Sequence, residues 1–289
     1  MAKKFTASLA KDFFSSPAFL KGRTVIIGGS SLFHGAPLFG LRIASCLNEM
    51  VFFASPEPRM APVAAALKSL LGAFIWVPFS EVEDYIKKAD SVLIGPGLMR
   101  FRKEKERLKF SKKRWGDKEG RKTKRITERL LKKFPGKQWV IDAGSLQVLD
   151  KKFIPPSAIL TPNDQEMAFL FGRRLCNLPQ EEKEKTLKKW AQEKGEIIMT
   201  KEPKALVCSP KECFLVKGGN SGLEKGGTGD VLAGLITALS AKKKPLLAAA
   251  TGIWLAKKAA DRLYQRRGPF YSADDLVEEV LELAGQLLK

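Results

Sequence analysis

The amino-acid sequence predicts an α/β protein with a mainly parallel central sheet and helices on both faces. Two observations carry that expectation. Short apolar runs rich in β-branched residues, of the kind found in strands covered on both sides, alternate with longer stretches of helical periodicity. Most of those short runs also end in a loop built from Gly, Pro, Ser, Asn or Asp, as the strands of open α/β sheets do.

In chain order, strands are expected at residues 24–27 (Thr-Val-Ile-Ile), 51–54, 91–94, 139–141, 158–160, 197–200 and 205–208. Helices are expected at 37–47, 61–71, 103–134, 180–194, 229–240 and 248–262, where apolar residues recur at helical spacing. The loops that follow the strands read Gly28-Gly29-Ser30, Ser55-Pro56-Glu57, Gly95-Pro96-Gly97, Asp142-Ala143-Gly144 and Thr161-Pro162-Asn163. Ligands of open α/β sheets bind beyond the carboxyl ends of the strands, so these loops are the expected walls of a site.

The 289 residues suffice for an ordinary hydrophobic core, and one unit over 1–289 is the simplest parse, with its body from about 18 to 288. No internal repeat or low-complexity tract interrupts it. The four cysteines, Cys46, Cys176, Cys208 and Cys213, form no C-x-x-C pair and lack the density of a disulfide framework, which fits a reducing, cytoplasmic setting. A single histidine, His34, argues against a zinc centre, and no G-x-S-x-G elbow accompanies it to support a hydrolase triad. Lysines at 3, 4 and 11 break the first residues as a signal peptide, and the longest apolar stretch, 245–256, is too short to span a membrane.

Charge is uneven. The chain has 51 Lys+Arg against 31 Asp+Glu, and residues 100–137 hold 18 of the basic and 5 of the acidic ones. A solvated basic helical insertion, anchored by Phe110 and Trp115, is preferred here over a nucleic-acid surface, because no nucleic-acid module accompanies the run. Raising the local concentration of a phosphate-bearing substrate is compatible with either.

The stretch most informative about chemistry is Gly218-Gly219-Asn220-Ser221-Gly222-Leu223-Glu224-Lys225-Gly226-Gly227-Thr228-Gly229-Asp230, which runs directly into an apolar helix. A glycine cluster at a helix N-terminus exposes backbone N–H groups and the positive end of the helix dipole, a site for anions such as phosphate. It is not a P-loop, since no G-x-x-x-x-G-K-[ST] occurs. Asp230 at that point either caps the helix or accepts the proton of a hydroxyl attacking a phosphoryl group. In Asn163-Asp164-Gln165-Glu166, the cap residue and Glu166 form either a capping box, an indirect Mg²⁺ site acting through water, or both.

With these stretches in hand, the chain resembles the ADP/ATP-dependent NAD(P)H-hydrate dehydratases of the ribokinase-like superfamily from about residue 21 to 288. The matching stretches occur in family order: Gly28-Gly29-Ser30 with Gly35-Ala36-Pro37, Gly95-Pro96-Gly97-Leu98, Asp142-Ala143, Leu160-Thr161-Pro162-Asn163 with Glu166-Met167, Lys201, and Gly226-Gly227-Thr228-Gly229-Asp230. The resemblance implies a ribokinase-like fold and a hydro-lyase that phosphorylates the ring hydroxyl of hydrated NADH or NADPH with ADP or ATP, aided by Mg²⁺, and then eliminates phosphate. It implies that Asp230 is catalytic and that Ala36, Gly97, Asn163 and Asp230 contact the damaged coenzyme. Lys201, Glu202, Pro203, Lys204, Ala205, Gly219, Asn220, Gly227, Thr228 and Gly229 would border the nucleotide.

It further implies a homo-oligomer, often a tetramer, and, since 289 residues leave no room for a fused epimerase domain, a separate NAD(P)H-hydrate epimerase. The chain departs from the family pattern at Asn48-Glu49-Met50, Gly144, Glu202 and Leu223-Glu224-Lys225. The alternatives are a ribokinase-like kinase of a small alcohol, such as a vitamin precursor, which would yield a stable phosphorylated product, and a nucleotide- or nucleic-acid-binding protein without catalysis.

Overall fold

The computed structural model describes residues 1–101 and 118–288. Its centre is a sheet of ten strands in the order β1-β10-β9-β8-β7-β6-β5-β2-β3-β4. The seven strands β4 (Ile75–Val77), β3 (Met50–Ala54), β2 (Arg23–Ile27), β5 (Ser91–Ile94), β6 (Gln138–Ile141), β7 (Ile159–Leu160) and β8 (Ile197–Met199) are mutually parallel. β9 (Lys204–Cys208) runs antiparallel to β8 and forms a hairpin with β10 (Cys213–Lys217), beyond which lies β1 (Lys3–Lys4). The chain order reverses between β2 and β5, so the crevice between their carboxyl ends is the topological switch point where α/β sheets bind ligands.

The sheet separates two apolar cores. Strand side chains alternate between them: Ile26 and Leu93 face one, Val25, Ile27, Val92 and Ile94 the other, which explains why these runs read as uniformly apolar. The first face is covered by α1 (Ala7–Phe14), α2 (Ala36–Leu47), α3 (Met60–Leu67), α9 (Thr228–Ser240), α10 (Pro245–Arg267) and α11 (Ala273–Leu287). The second packs under α4 (Val82–Lys88), α5 (Lys118–Lys133), α6 (Ala143–Val148), α7 (Asp164–Phe171) and α8 (Gln180–Lys194).

Several expectations are corrected. The first seventeen residues are part of the fold, because Phe13 and Phe14 of α1 are buried and Phe5 packs edge-on against Phe214 of β10. β10, unexpected from the sequence, brings Cys213 directly opposite Cys208, and the two form a disulfide with a Cα separation of 4.1 Å. Spacing in sequence gave no sign of this staple, since it depends on hairpin register. Helix 248–262 extends to Pro245–Arg267, with proline at the start where its missing N–H costs nothing. Of the helix expected at 103–134, residues 103–117, with the anchors Phe110 and Trp115, lie outside the described residues. α5 buries Gly120, Thr123, Thr127, Leu130 and Leu131 and turns Arg121, Arg125 and Arg129 outward, the pattern of a solvated amphipathic helix. Among the described residues no helix is long and apolar enough to cross a membrane.

Candidate active site

α9 begins at the end of the glycine cluster. Its N-cap is Gly227, held in the left-handed region at φ 91°, which a side chain would strain. An added Cβ there would also strike Phe39 and Ala273. No side chain caps the helix, and its Thr228 N–H donates to the Lys225 carbonyl at 3.4 Å, so the amides of Gly229 and Asp230 are the ones this helix start offers to an anion. Asp230 is in the first turn and is not the cap, so of the two roles the sequence allowed it the capping one is excluded.

Asp142, Glu166, Lys201 and Asp230 meet beyond the ends of β6, β7 and β8. Asp142, 3 % exposed, accepts hydrogen bonds from the Thr161 hydroxyl at 2.6 Å and from Lys201 Nζ at 3.2 Å. Glu166 is buried in a complete capping box: its Oε2 accepts from the Asn163 N–H at 2.9 Å while Asn163 Oδ1 accepts from the Glu166 N–H at 2.8 Å. Its Oε1 accepts from Gln147 Nε2 at 2.8 Å.

Burial, then the negative charges of Asp142 and Glu166, push the Asp230 carboxyl up to about 8, with Lys201 pulling the other way. Burial followed by Asp142 also raises Glu166. For Lys201 burial opposes the charge, but Asp142, Glu166 and Asp230 together hold its ammonium above the ordinary lysine value. The result is a partly buried cluster in which one cation lies among three acids beside a helix N-terminus, an arrangement suited to moving a proton while binding phosphate.

Next to it an open cleft is lined by Lys201, Leu223, Thr228, Gly229, Leu232, Ile253, Ala256 and Lys257. Of the expected nucleotide residues, Lys201, Thr228 and Gly229 line this cleft directly. Glu202 and Pro203 present their carbonyls to Lys257, Gly219 and Asn220 are tied to Asp261, and the Thr228 hydroxyl donates to the carbonyls of Leu223 and Lys225. Lys204 is exposed, and Ala205 is fully buried in the sheet, so its side chain faces the core rather than the cleft. On the opposite side Ala36 opens α2, and Gly97 and exposed Asn163 flank the crevice. A further cavity runs from Gly29, Ser30, Pro56 and Leu98 to Lys122 and Ile126 of α5, so the basic helix borders the crevice.

The departures from the family pattern have local causes. Asn48 accepts from the Thr24 hydroxyl and donates to the Phe19 and Ala238 carbonyls, pinning the end of α2 far from the crevice. Glu202 pairs with the buried Lys183. At Gly144, a Cβ would stand 2.1 Å from the Leu98 carbonyl oxygen, leaving no room for an acid. Sequence reasoning placed Asp142 in a strand-end loop without giving it a role and missed Gln147, Lys257 and Asp261; the signal for Asp142 was its place directly after a strand, whereas the other three sit inside helices with nothing local to mark them.

A mainly parallel sheet whose order reverses beside a glycine-opened helix with an acid in its first turn is a ribokinase-like α/β fold. The fold is shared by a ribokinase-like superfamily protein from Enterococcus faecalis, with a TM-score of 0.77 and 19% identity over 99% of this chain and 96% of that one. It is shared also by the ADP/ATP-dependent NAD(P)H-hydrate dehydratase of Bacillus subtilis co-crystallised with ATP/Mg²⁺, with a TM-score of 0.77 and 19% identity over 100% and 99% of the two chains.

The model of the NAD(P)H-hydrate dehydratase family matches residues 24–282, and the chain belongs to that family. The bifunctional NAD(P)H-hydrate repair enzyme Nnr of Hyperthermus butylicus is 29% identical over 279 residues, covering 90% of this chain and 48% of the relative. The ADP-dependent (S)-NAD(P)H-hydrate dehydratase of Enterococcus faecalis is 27% identical over 243 residues, 80% of this chain and 73% of that protein. The chain thus spans about half the length of the bifunctional relatives it matches.

Proposed function

We propose that the protein restores hydrated NADH or NADPH to NADH or NADPH by nucleotide-dependent dehydration. The observation that carries this reading is Asp230, a carboxyl in the first turn of a glycine-opened helix whose proton affinity burial and two neighbouring acids bring close to neutrality. A base is most effective when its pKa lies near the working pH.

In this reading ADP or ATP lies in the cleft beside Lys201, Thr228 and Gly229, with the phosphate to be transferred against the α9 amides. The ring hydroxyl, held between Ala36, Gly97 and Asn163, loses its proton to Asp230 as its oxygen forms the bond to phosphorus, and the nucleotide leaves one phosphate shorter. The C–O bond then breaks with the ring nitrogen's electron pair behind it, a proton leaves the adjacent carbon, and inorganic phosphate departs with the restored dihydronicotinamide. Lys201 Nζ, held by Asp142, lies 3.6 Å from the position of a Cβ on Gly229, where it faces phosphoryl charge.

The donor set suits Mg²⁺ held through water. The acids supply hard oxygens, yet no group of three metal-ligating side chains gathers among the described residues, and Mg²⁺ typically takes one or two carboxylates plus substrate phosphates. Glu166, with Asp142 beside it, would hold its water shell, and the ion would offset phosphate charge. Self-association and an epimerase activity that interconverts the hydrate epimers complete the proposal, the bifunctional name of the longer relatives supporting the second.

The test is incubation of chemically hydrated NADH with the protein, Mg²⁺ and ADP or ATP, following the return of NADH absorbance and free phosphate. Nucleotide-dependent recovery that Asp230→Asn abolishes supports the proposal. A stable phosphorylated product from a small alcohol, with no recovery of NADH, would replace it with the kinase reading.

A further inference from the structure

Lys257 lies in the middle of α10 and is 2 % exposed, and the proposed chemistry gives it no part. Its ammonium donates to three backbone carbonyls: Glu202 at 2.5 Å, Pro203 at 3.1 Å and Gly218 at 2.8 Å. An ammonium has three donors, and here all three are met. The first two carbonyls belong to the loop between β8 and β9, the third to the loop after β10. One helical turn further on, Asp261 Oδ1 accepts from the Gly219 N–H at 3.0 Å and from Asn220 Nδ2 at 3.4 Å. Residues 257 and 261 share one face of α10. That face thus binds both loops that border the cleft, and Lys257 itself lines it.

The two loops join each other where the Gly218 N–H donates to the Pro203 carbonyl at 3.2 Å, so Lys257 and Asp261 hold one joined rim against α10, over a cleft otherwise lined by apolar Leu223, Leu232, Ile253 and Ala256 and by Lys201, Thr228 and Gly229. We propose that Lys257 is a positioning residue of the phosphoryl-donor cleft: with Asp261 it clasps the joined 202–203 and 218–219 rim to α10, in the place where that rim borders an adenine nucleotide, setting nucleotide affinity and leaving the transfer at Asp230 unchanged. The inference rests on the cleft being the donor site. The charges facing the ammonium are Asp261 from its own helix and Glu202 from the facing loop; burial outweighs both and brings the lysine down to about 8. The clasp therefore loses its charge within an accessible pH range.

The experiment measures ADP and ATP binding by calorimetry, with Mg²⁺ and without the second substrate, for the wild-type chain, Lys257→Met and Lys257→Arg at pH 7 and pH 9, alongside steady-state rates. Expected for Lys257→Met is a loss of about tenfold or more in nucleotide affinity, matched in nucleotide KM, with kcat and the KM for hydrated coenzyme changed less than about twofold. Wild-type affinity should fall between pH 7 and pH 9 while Lys257→Arg, whose guanidinium stays charged, holds its own. That pH comparison decides the matter if the methionine variant does not fold. Equal affinity in wild type and Lys257→Met, or the same alkaline loss in wild type and Lys257→Arg, overturns the clasp alone. A wild-type chain that binds neither nucleotide overturns the donor-site reading beneath it.

Discussion

Gly40 of α2 and Gly234 of α9 touch backbone to backbone: a Cβ on Gly234 would stand 2.3 Å from the Gly40 Cα. This crossing sets two helix N-termini side by side, one opening at Ala36 and the other carrying Asp230. Gly234→Ala should push the helices apart, costing about 1–3 kcal/mol of stability by overpacking. Turnover should fall more steeply, by about 10²-fold, because a displacement of about 1 Å suffices for that. Thermal unfolding and NADH recovery measured on one preparation check both, and an unchanged melting temperature would sink the argument.

Asp230→Asn should lower kcat by about 10²- to 10⁴-fold, the usual contribution of a positioned base, with nucleotide affinity largely kept. In the wild type the reactive form is the carboxylate. With its pKa pushed up to about 8 in the free chain, kcat/KM should climb with pH below that value and level off above it. A rate flat from pH 6 to 9 would remove Asp230 from the role of base.

Removing the Asp142 charge should act at two levels. Asp142→Asn takes the bonded carboxylate from Lys201, and breaking a buried pair on one side costs about 3 kcal/mol. Asp142 also raises the Asp230 pKa, so its loss should slide the ascending limb of the rate profile to lower pH. A stability loss without that slide would show that Asp142 acts on packing alone.

Glu196, 1 % exposed at the edge of β8, has a carboxyl raised to about 7 by burial, and its Oε2 has no hydrogen-bond partner among the described residues. The folded-state value lies above the ordinary 4.5, so between those values the folded chain keeps a proton that the unfolded chain has released. Stability should therefore fall as pH rises through that window, by on the order of 3 kcal/mol. Denaturant unfolding from pH 4 to 8 should show the slope, and Glu196→Gln should flatten it.

Six of the seven central parallel strands were legible because each is an apolar run covered on both faces, as the edge strand β4 with its exposed Ile75 is not, and α9 because its glycine opening and apolar stripe are local features. β10 was not: its residues carry no pattern beyond five positions, and its partner β9 supplies the reason it is a strand. At the site, Asp230 and Glu166 were readable from helix-start chemistry, and the capping box that Glu166 forms is one of the two roles its spacing allowed. Lys201 was placed with the nucleotide by resemblance, yet its ammonium bonds Asp142, 59 positions away in sequence. Such a contact is set by strand order, which no local window contains.

The loops after β5 and β6 are interlocked through main chain, with Gly95 facing the Asp142 carbonyl and Gly144 facing that of Leu98. Backbone cannot be trimmed as a side chain can. The aperture on this side of the crevice is thus a fixed gauge, set by main chain that no side-chain substitution widens.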